Sequence, residues 1–298
     1  MALFRALESA KRPAGNRLFE DPLAYSFLRP SLRAVVHLSR VPAAGRIIPL
    51  YIDRRWPGAR TAGIARTRLI DDAVRRALPE VAQVVLLGSG FDSRAYRMPG
   101  MGAVRVFEVD SPVMLDRKRQ VVSRAIGALP DNVVFVPIDF EQRALEEALR
   151  DKGFDAAARA FVVWEGVTSY LTPDAIDATL RSITALAADG TAILFTYLDR
   201  RVLEAPQEFE GGTRLAAIVE RVGEPWKFGF RPAEVAAYLS ARGLSLVEDV
   251  GAEDVRARYM GGARRNTKGY EFYRVALAAV GPDRAESGRA LLTPAGRE

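Results

Sequence analysis

The sequence predicts an open α/β fold, a doubly wound sheet with helices on both faces and an antiparallel strand pair at one edge. Three observations predict it. Short apolar runs alternate with helical stretches between residues 83 and 197, and these runs are continuous, as strands buried on both faces must be. Glycine or acidic residues follow several of them, and the last two runs lack a convincing helix between them.

The elements follow in order. The first 75 residues read as helical and broken by prolines. Within 65–78 the pairs Leu69/Ile70, Ala73/Val74 and Ala77/Leu78 make the stripe of an amphipathic helix. "QVVLLG" (83–88) is the first strand and "VRVFEVD" (104–110) the second, followed by Ser111-Pro112, an N-cap and first-turn pair. "NVVFVPID" (132–139) and "AFVVWEG" (160–166) are the third and fourth. Thr172-Pro173-Asp174 opens a helix carrying Ile176, Leu180, Ile183 and Ala187, which Asp189-Gly190 ends before a fifth strand, "TAILFTY" (191–197). Residues 199–230 are less regular and read as a small helical insert. A helix over 232–242 precedes "LSLVEDV" (244–250) and "YEFYRVALAAV" (270–280), expected to form a terminal antiparallel hairpin. The expected organisation is one domain over 1–280: an N-terminal helical extension (1–78), a core (79–198), the insert (199–230), and a final helix and strand pair (231–280). Residues 281–298 read as a disordered tail.

Composition narrows the chemistry. Without cysteine, thiolate catalysis, disulfides and Cys-based metal sites are excluded. With one histidine, His37, a two-histidine metal site is excluded and a Ser-His-Asp triad would need that one residue, which reads as an ordinary helix position; no metal is expected. No apolar run approaches the roughly 20 residues of a membrane span, the first residues lack a signal-peptide core, and mean hydropathy is −0.03, so a soluble cytoplasmic protein is expected. Charge is uneven: residues 1–70 hold 13 Lys/Arg against 4 Asp/Glu, while the remainder is slightly acidic. The arginines are dispersed and lack interleaved aromatics, which argues against a nucleic-acid surface.

In open parallel sheets ligands bind beyond the carboxyl ends of the strands. Gly88 and Gly90 there let a ligand approach backbone where a Cβ would collide. The dinucleotide fingerprint wants a third glycine where Ser93 stands, and Asp92 would repel a pyrophosphate, so the loop leans away from NAD. Asp110 lies 22 residues after Gly88, near the spacing at which a carboxylate meets a ribose diol, with Glu108 its rival. Asp139-Phe140 offers an acceptor for an adenine amino group beside an aromatic face, and Glu165 ends the fourth strand.

"ARTRLIDD", "VVLLGSGFDSRAYRM", "VFEVDSP", "IDF" and "WEGVTSYLTPDAI" occur in that order. Together they resemble the leucine carboxyl methyltransferase-like group of S-adenosylmethionine-dependent methyltransferases, in particular a bacterial branch linked with O-methylation of polyketides and other secondary metabolites. The resemblance runs from "RALESAKRP" to "RY" near residue 259. It implies a seven-stranded class I methyltransferase sheet and S-adenosylmethionine as cofactor. It also implies roles: Arg66 on the cofactor's methionine carboxylate, Gly88 beneath the cofactor, Asp110 on the ribose, Asp139 and Phe140 at the adenine (phenylalanine replacing the family's leucine), and Glu165 in the cofactor pocket.

With an activated sulfonium methyl, such an enzyme must chiefly align an oxygen nucleophile and exclude water. A carboxylate is ionised at neutral pH and needs no base, whereas a phenol usually does. The absence of a strand-end histidine favours a small-molecule carboxylate over a phenol. Tyr170 and Tyr197 are candidates for the acceptor side. The alternatives are a peptide or protein C-terminus as acceptor and, in another class, a NAD-dependent oxidoreductase.

Overall fold

The computed structural model describes residues 1–11, 17–139, 143–221, 223–261 and 268–281. Four helices, α1 (Ala2–Ala10), α2 (Pro30–Leu38), α3 (Pro42–Arg55) and α4 (Ala59–Ala77), precede the sheet; Pro30 and Pro42 sit in first turns, where their missing N–H costs nothing. β1 (Gln83–Leu87), α5 (Arg94–Arg97), β2 (Arg105–Asp110), α6 (Pro112–Ile126), β3 (Val133–Pro137), α7 (Leu145–Asp151), β4 (Ala160–Trp164), α8 (Pro173–Leu186) and β5 (Ala192–Leu198) alternate as expected. The caps form as read: Ser111 Oγ accepts from Met114 N, and the Thr172 side chain from Ala175 N. α9 (Arg201–Glu204) and α10 (Gly212–Arg221) make up the insert. α11 (Pro232–Ser240), β6 (Leu244–Gly251), α12 (Ala252–Tyr259) and β7 (Tyr273–Val280) complete the order.

The seven strands lie in the order β3-β2-β1-β4-β5-β7-β6. β1 to β5 are parallel, and β7 runs antiparallel to both β5 and β6. The antiparallel pair is therefore present, but it is not a simple hairpin, because α12 intervenes and β7 inserts between β5 and β6. The sequence hides α12 because its segment, "AEDVRARY", is short and half charged, with Ala252, Val255 and Tyr259 as its apolar contacts. The continuous runs are explained by burial on both faces. Val84, Leu86, Val106 and Val163 pack with Leu69, Ile70 and Val74 of α4 on one face. Their neighbours Val85, Leu87, Phe107 and Val162 pack with Ile176, Leu180 and Ile183 of α8 on the other. The N-terminal helices have a small core of their own, built on Leu7, Leu28, Val36 and Ile52. Of residues 281–298, read as a tail, all but Gly281 lie outside the described residues. No helix among the described residues is long and apolar enough to cross a membrane.

Candidate functional site

The turn after β1 needs its glycines. Gly88 and Gly90 have φ of +62° and +36°, and a Cβ on Gly88 would fall 2.3 Å from Val167 Cγ2. On Gly90 the nearest neighbour would be Gly88 O at 3.7 Å. Gly88→Ala is therefore expected to lower stability by about 2 kcal/mol or more, and Gly90→Ala by less, which paired thermal melts will check. Ser93, where a dinucleotide loop would carry its third glycine, is fully buried and donates to Asp21 Oδ2 at 2.7 Å, tying the loop to the N-terminal extension. The helix that follows, α5, has four residues, too short to present the N-terminus on which a pyrophosphate sits.

The two acidic residues of β2 separate clearly. Glu108 is fully buried and paired with Lys118, itself fully buried, at 2.7 Å. Lys118 also donates to Ser89 O at 3.1 Å. Burial pushes the Glu108 pKa up by more than Lys118 draws it down. Asp110 stands half-buried at the strand end, one oxygen accepting Gly90 N–H and the other Ser111 N–H, each at 2.7 Å. Each oxygen keeps a second lone pair for another donor.

A charge network lies beside this loop. Glu165, just past β4, accepts from Arg66 Nε at 3.0 Å and Arg94 Nη1 at 2.9 Å. Arg94 is fully buried; it also reaches Asp92 Oδ2 at 2.6 Å and, through Nε, Asp71 Oδ1 at 2.7 Å, which Arg97 shares at 2.7 Å. Burial alone would raise the pKa of Glu165, but Arg94 and Arg66 outweigh it and hold the carboxyl below its usual range. Asp92 is held low likewise, by Arg94, Lys118 and Arg5 against its burial. Asp92 is thus neutralised by Arg94 rather than aimed bare at a ligand, which removes the repulsion expected from its sequence position. Arg94 and Asp71 were missed as site-forming residues. Their signal was the "FDSR" and "LIDD" charges inside otherwise apolar contexts, but which carboxylates one arginine would gather is set by the tertiary fold.

Two cavities meet here. One, of about 260 Å³, is lined by Arg66, Gly88, Gly90, Asp92 and Glu165 among others. A larger one, of about 480 Å³, is walled mostly by apolar and aromatic side chains, including Phe4, Trp56, Tyr170, Tyr270 and Tyr273. Met1, Arg66 and Gly166 line both. Of the residues singled out in sequence, Arg66, Gly88, Gly90 and Glu165 therefore come together. Asp110 is held to them through Gly90 N–H without lining either cavity. Asp139 stands exposed past β3 and lines neither; Phe140 lies outside the described residues. Tyr170 lines the larger cavity. Tyr197 does not: it is buried in the sheet core, where its hydroxyl donates to Asp249 at 2.7 Å and accepts from Arg274 at 3.0 Å. The expectation for Tyr197 is corrected, because alternation along β5 turns it into the core. His37 lies exposed on α2 and lines neither cavity.

The sequence matches the leucine carboxyl methyltransferase family over residues 1–184. The chain belongs to that family. It is with it an S-adenosylmethionine-dependent methyltransferase. A Frankia alni protein named "Putative S-adenosyl-L-methionine-dependent methyltransferase FRAAL3718" is 35% identical over 207 residues, 68% of each chain. Among solved structures, a "putative methyltransferase" of Thermobifida fusca superposes with a TM-score of 0.57 at 17% identity, covering 95% of both chains. A DUF574 family protein of Streptomyces avermitilis also gives 0.57, at 14% identity, covering 94% of this chain and 97% of that one. These two likenesses concern the fold, and the seven-stranded α/β sheet of the methyltransferase is that fold. The oxidoreductase alternative is set aside by the family.

Proposed function

We propose that this methyltransferase transfers the methyl group to an oxygen, by preference the carboxylate of a small apolar metabolite, in the cytoplasm. The cavity of about 480 Å³ carries the reading. Among the described residues lining it there is no Asp, Glu, His or Lys, Arg66 is its one charged side chain, and the Met1 amino group is lowered to about 6 by burial and by the Arg5 and Arg66 charges. Burial raises the pKa of Tyr170, Tyr270 and Tyr273, so none of these hydroxyls serves as a base near neutral pH. A wall with no side chain to act as a base, and with a Met1 amine too weakly basic to draw the proton from a phenol near 10, suits a nucleophile that is already ionised, as a carboxylic acid with a pKa of about 4 is.

The neighbouring cavity fits the cofactor by its chemistry. Gly88 and Gly90 expose backbone, Arg66 supplies a cation for a carboxylate, and Asp110 keeps free lone pairs for a diol. Asp139 and Phe140 are proposed at the adenine. S-adenosylmethionine when bound supplies a methyl activated on sulfonium; the chain's own task is to orient the acceptor at the junction by Gly166 and to keep water out with the aromatic wall.

Mass spectrometry of methyl transfer to matched apolar carboxylates and phenols tests this. Methyl esters are expected, at rates that vary little between pH 7 and 9, where the acceptor is already ionised and the Met1 amine, drawn down to about 6, is already neutral. Phenols methylated faster than carboxylates, or rates rising about tenfold per pH unit, would overturn the carboxylate reading.

A further inference from the structure

The hairpin of α2 and α3 carries an apolar face that none of the described residues covers. Leu38, Val41, Ile47, Leu50 and Tyr51 are all more than half exposed, and Leu50 is 67% exposed. Elsewhere the large exposed hydrophobic side chains are scattered singly, as on most proteins. Ile47, Leu50 and Tyr51 recur at helical spacing, so they form one ridge along α3. Arg40, Arg46 and Arg54 flank that ridge, exposed, and make no ion pair among the described residues. Asp53 is the single acidic residue between residues 30 and 56, and Arg60 holds it through both oxygens.

The charge decides among occupants. A second copy packed on the same face by two-fold symmetry would set these unpaired arginines against themselves. An anionic partner neutralises them. The apolar side chains project from a convex helix and form no pocket that a partner's side chain could enter. That shape suits a plane, with the ridge sunk among acyl chains and the arginine stems reaching up to headgroups. The inner side of the same helix contributes Ile52 to the wall of the larger cavity, and Trp56 follows at its end. We infer that the α2–α3 hairpin docks this enzyme on an anionic lipid surface, beside an apolar cavity able to receive an acceptor dissolved in that surface. The docking itself does not depend on the carboxylate reading.

Vesicle co-sedimentation of the full chain tests it, with phosphatidylglycerol–phosphatidylcholine vesicles compared with phosphatidylcholine alone at about 0.1 M salt. The wild type is expected to sediment with the anionic vesicles only. The triple variant Ile47→Ser/Leu50→Ser/Tyr51→Ser keeps every charge and is expected to lower the partition coefficient about tenfold or more. Arg40→Gln/Arg46→Gln/Arg54→Gln should also lose binding. Circular dichroism melts check the fold, and Leu50→Ser alone is read if the triple variant is unstable. Wild type bound to neither vesicle overturns the inference, as does a serine variant that binds like the wild type, which would mean that bulk charge suffices. A dimer in sedimentation velocity that the serine substitutions dissociate, without vesicle binding, would make the face a self-interface instead.

Discussion

Replacing Arg94 by methionine is expected to cost about 3–5 kcal/mol of folding stability at neutral pH, the range for breaking a buried ion pair. The guanidinium is fully buried and donates to Asp71, Asp92 and Glu165 at 2.6 to 2.9 Å. Without it three carboxylates face one another with only Arg66 and Arg97 in direct contact. Against a typical total of about 5–15 kcal/mol, such a loss is severe. Lysine is expected to rescue little. A point-charge ammonium cannot span three acceptors in the plane of a fork.

The pH dependence distinguishes this from simple loss of packing. In the wild type the folded-state pKa values of Asp92 and Glu165 are depressed, so their stabilisation is complete above the ordinary carboxylate range near 4 and is lost as pH falls through the folded values. In Arg94→Met the same groups lose their cation in a buried setting and their folded values rise. The penalty is then present at pH 7 and relieved as protons bind on acidification. Denaturant melts at pH 7 and near pH 5 should show the gap between variant and wild type narrowing. A gap constant with pH would mean that the arginine matters here for volume rather than charge.

The sheet was legible because burial on both faces leaves an unmistakable mark, continuous apolar runs such as "VVLL" and "FVVW" with a glycine within two residues of the end. The glycine loop was legible for a similar local reason, since positive φ and close approach select for residue type. Arg94 was not, because its three partners come from α4, its own loop and the end of β4, and no spacing encodes that convergence. Tyr197 misled for the opposite reason. An aromatic residue near a strand end reads the same whether the strand turns it toward the ligand side or into the core, and here Asp249 and Arg274 satisfy its hydroxyl internally. The larger cavity was invisible in advance, since its wall joins Trp56, Tyr170 and Tyr273 across more than 200 residues of chain. Glu108 and Asp110 show the boundary between the two cases: two residues apart on one strand, they are told apart in sequence only by the family resemblance, whereas in the structure Lys118 takes one of them.

That pair gives the sharpest test of the proposed cofactor contacts. Asp110→Asn is expected to weaken S-adenosylhomocysteine binding about 10- to 100-fold, the worth of a hydrogen bond to a charged group, with a smaller fall in melting temperature than Glu108→Gln. The aspartate uses one lone pair on each oxygen to hold Gly90 N–H and Ser111 N–H, leaving the outward pair for the two hydroxyls of a ribose. An amide turns one acceptor into a donor, so it loses both a diol contact and one of the backbone contacts that shape the loop. Glu108→Gln should show the reverse. It leaves the Lys118 ammonium buried with no counter-charge at 2.7 Å, so stability falls while the exposed edge of the loop is unaltered and affinity changes little. Calorimetric titration alongside thermal melts of both variants separates the two roles. Unchanged affinity in Asp110→Asn would remove the carboxylate from the ribose. An affinity loss confined to Glu108→Gln would mean that the loop, held from beneath by Lys118 through Ser89 O, governs cofactor binding and the strand-end carboxylate does not.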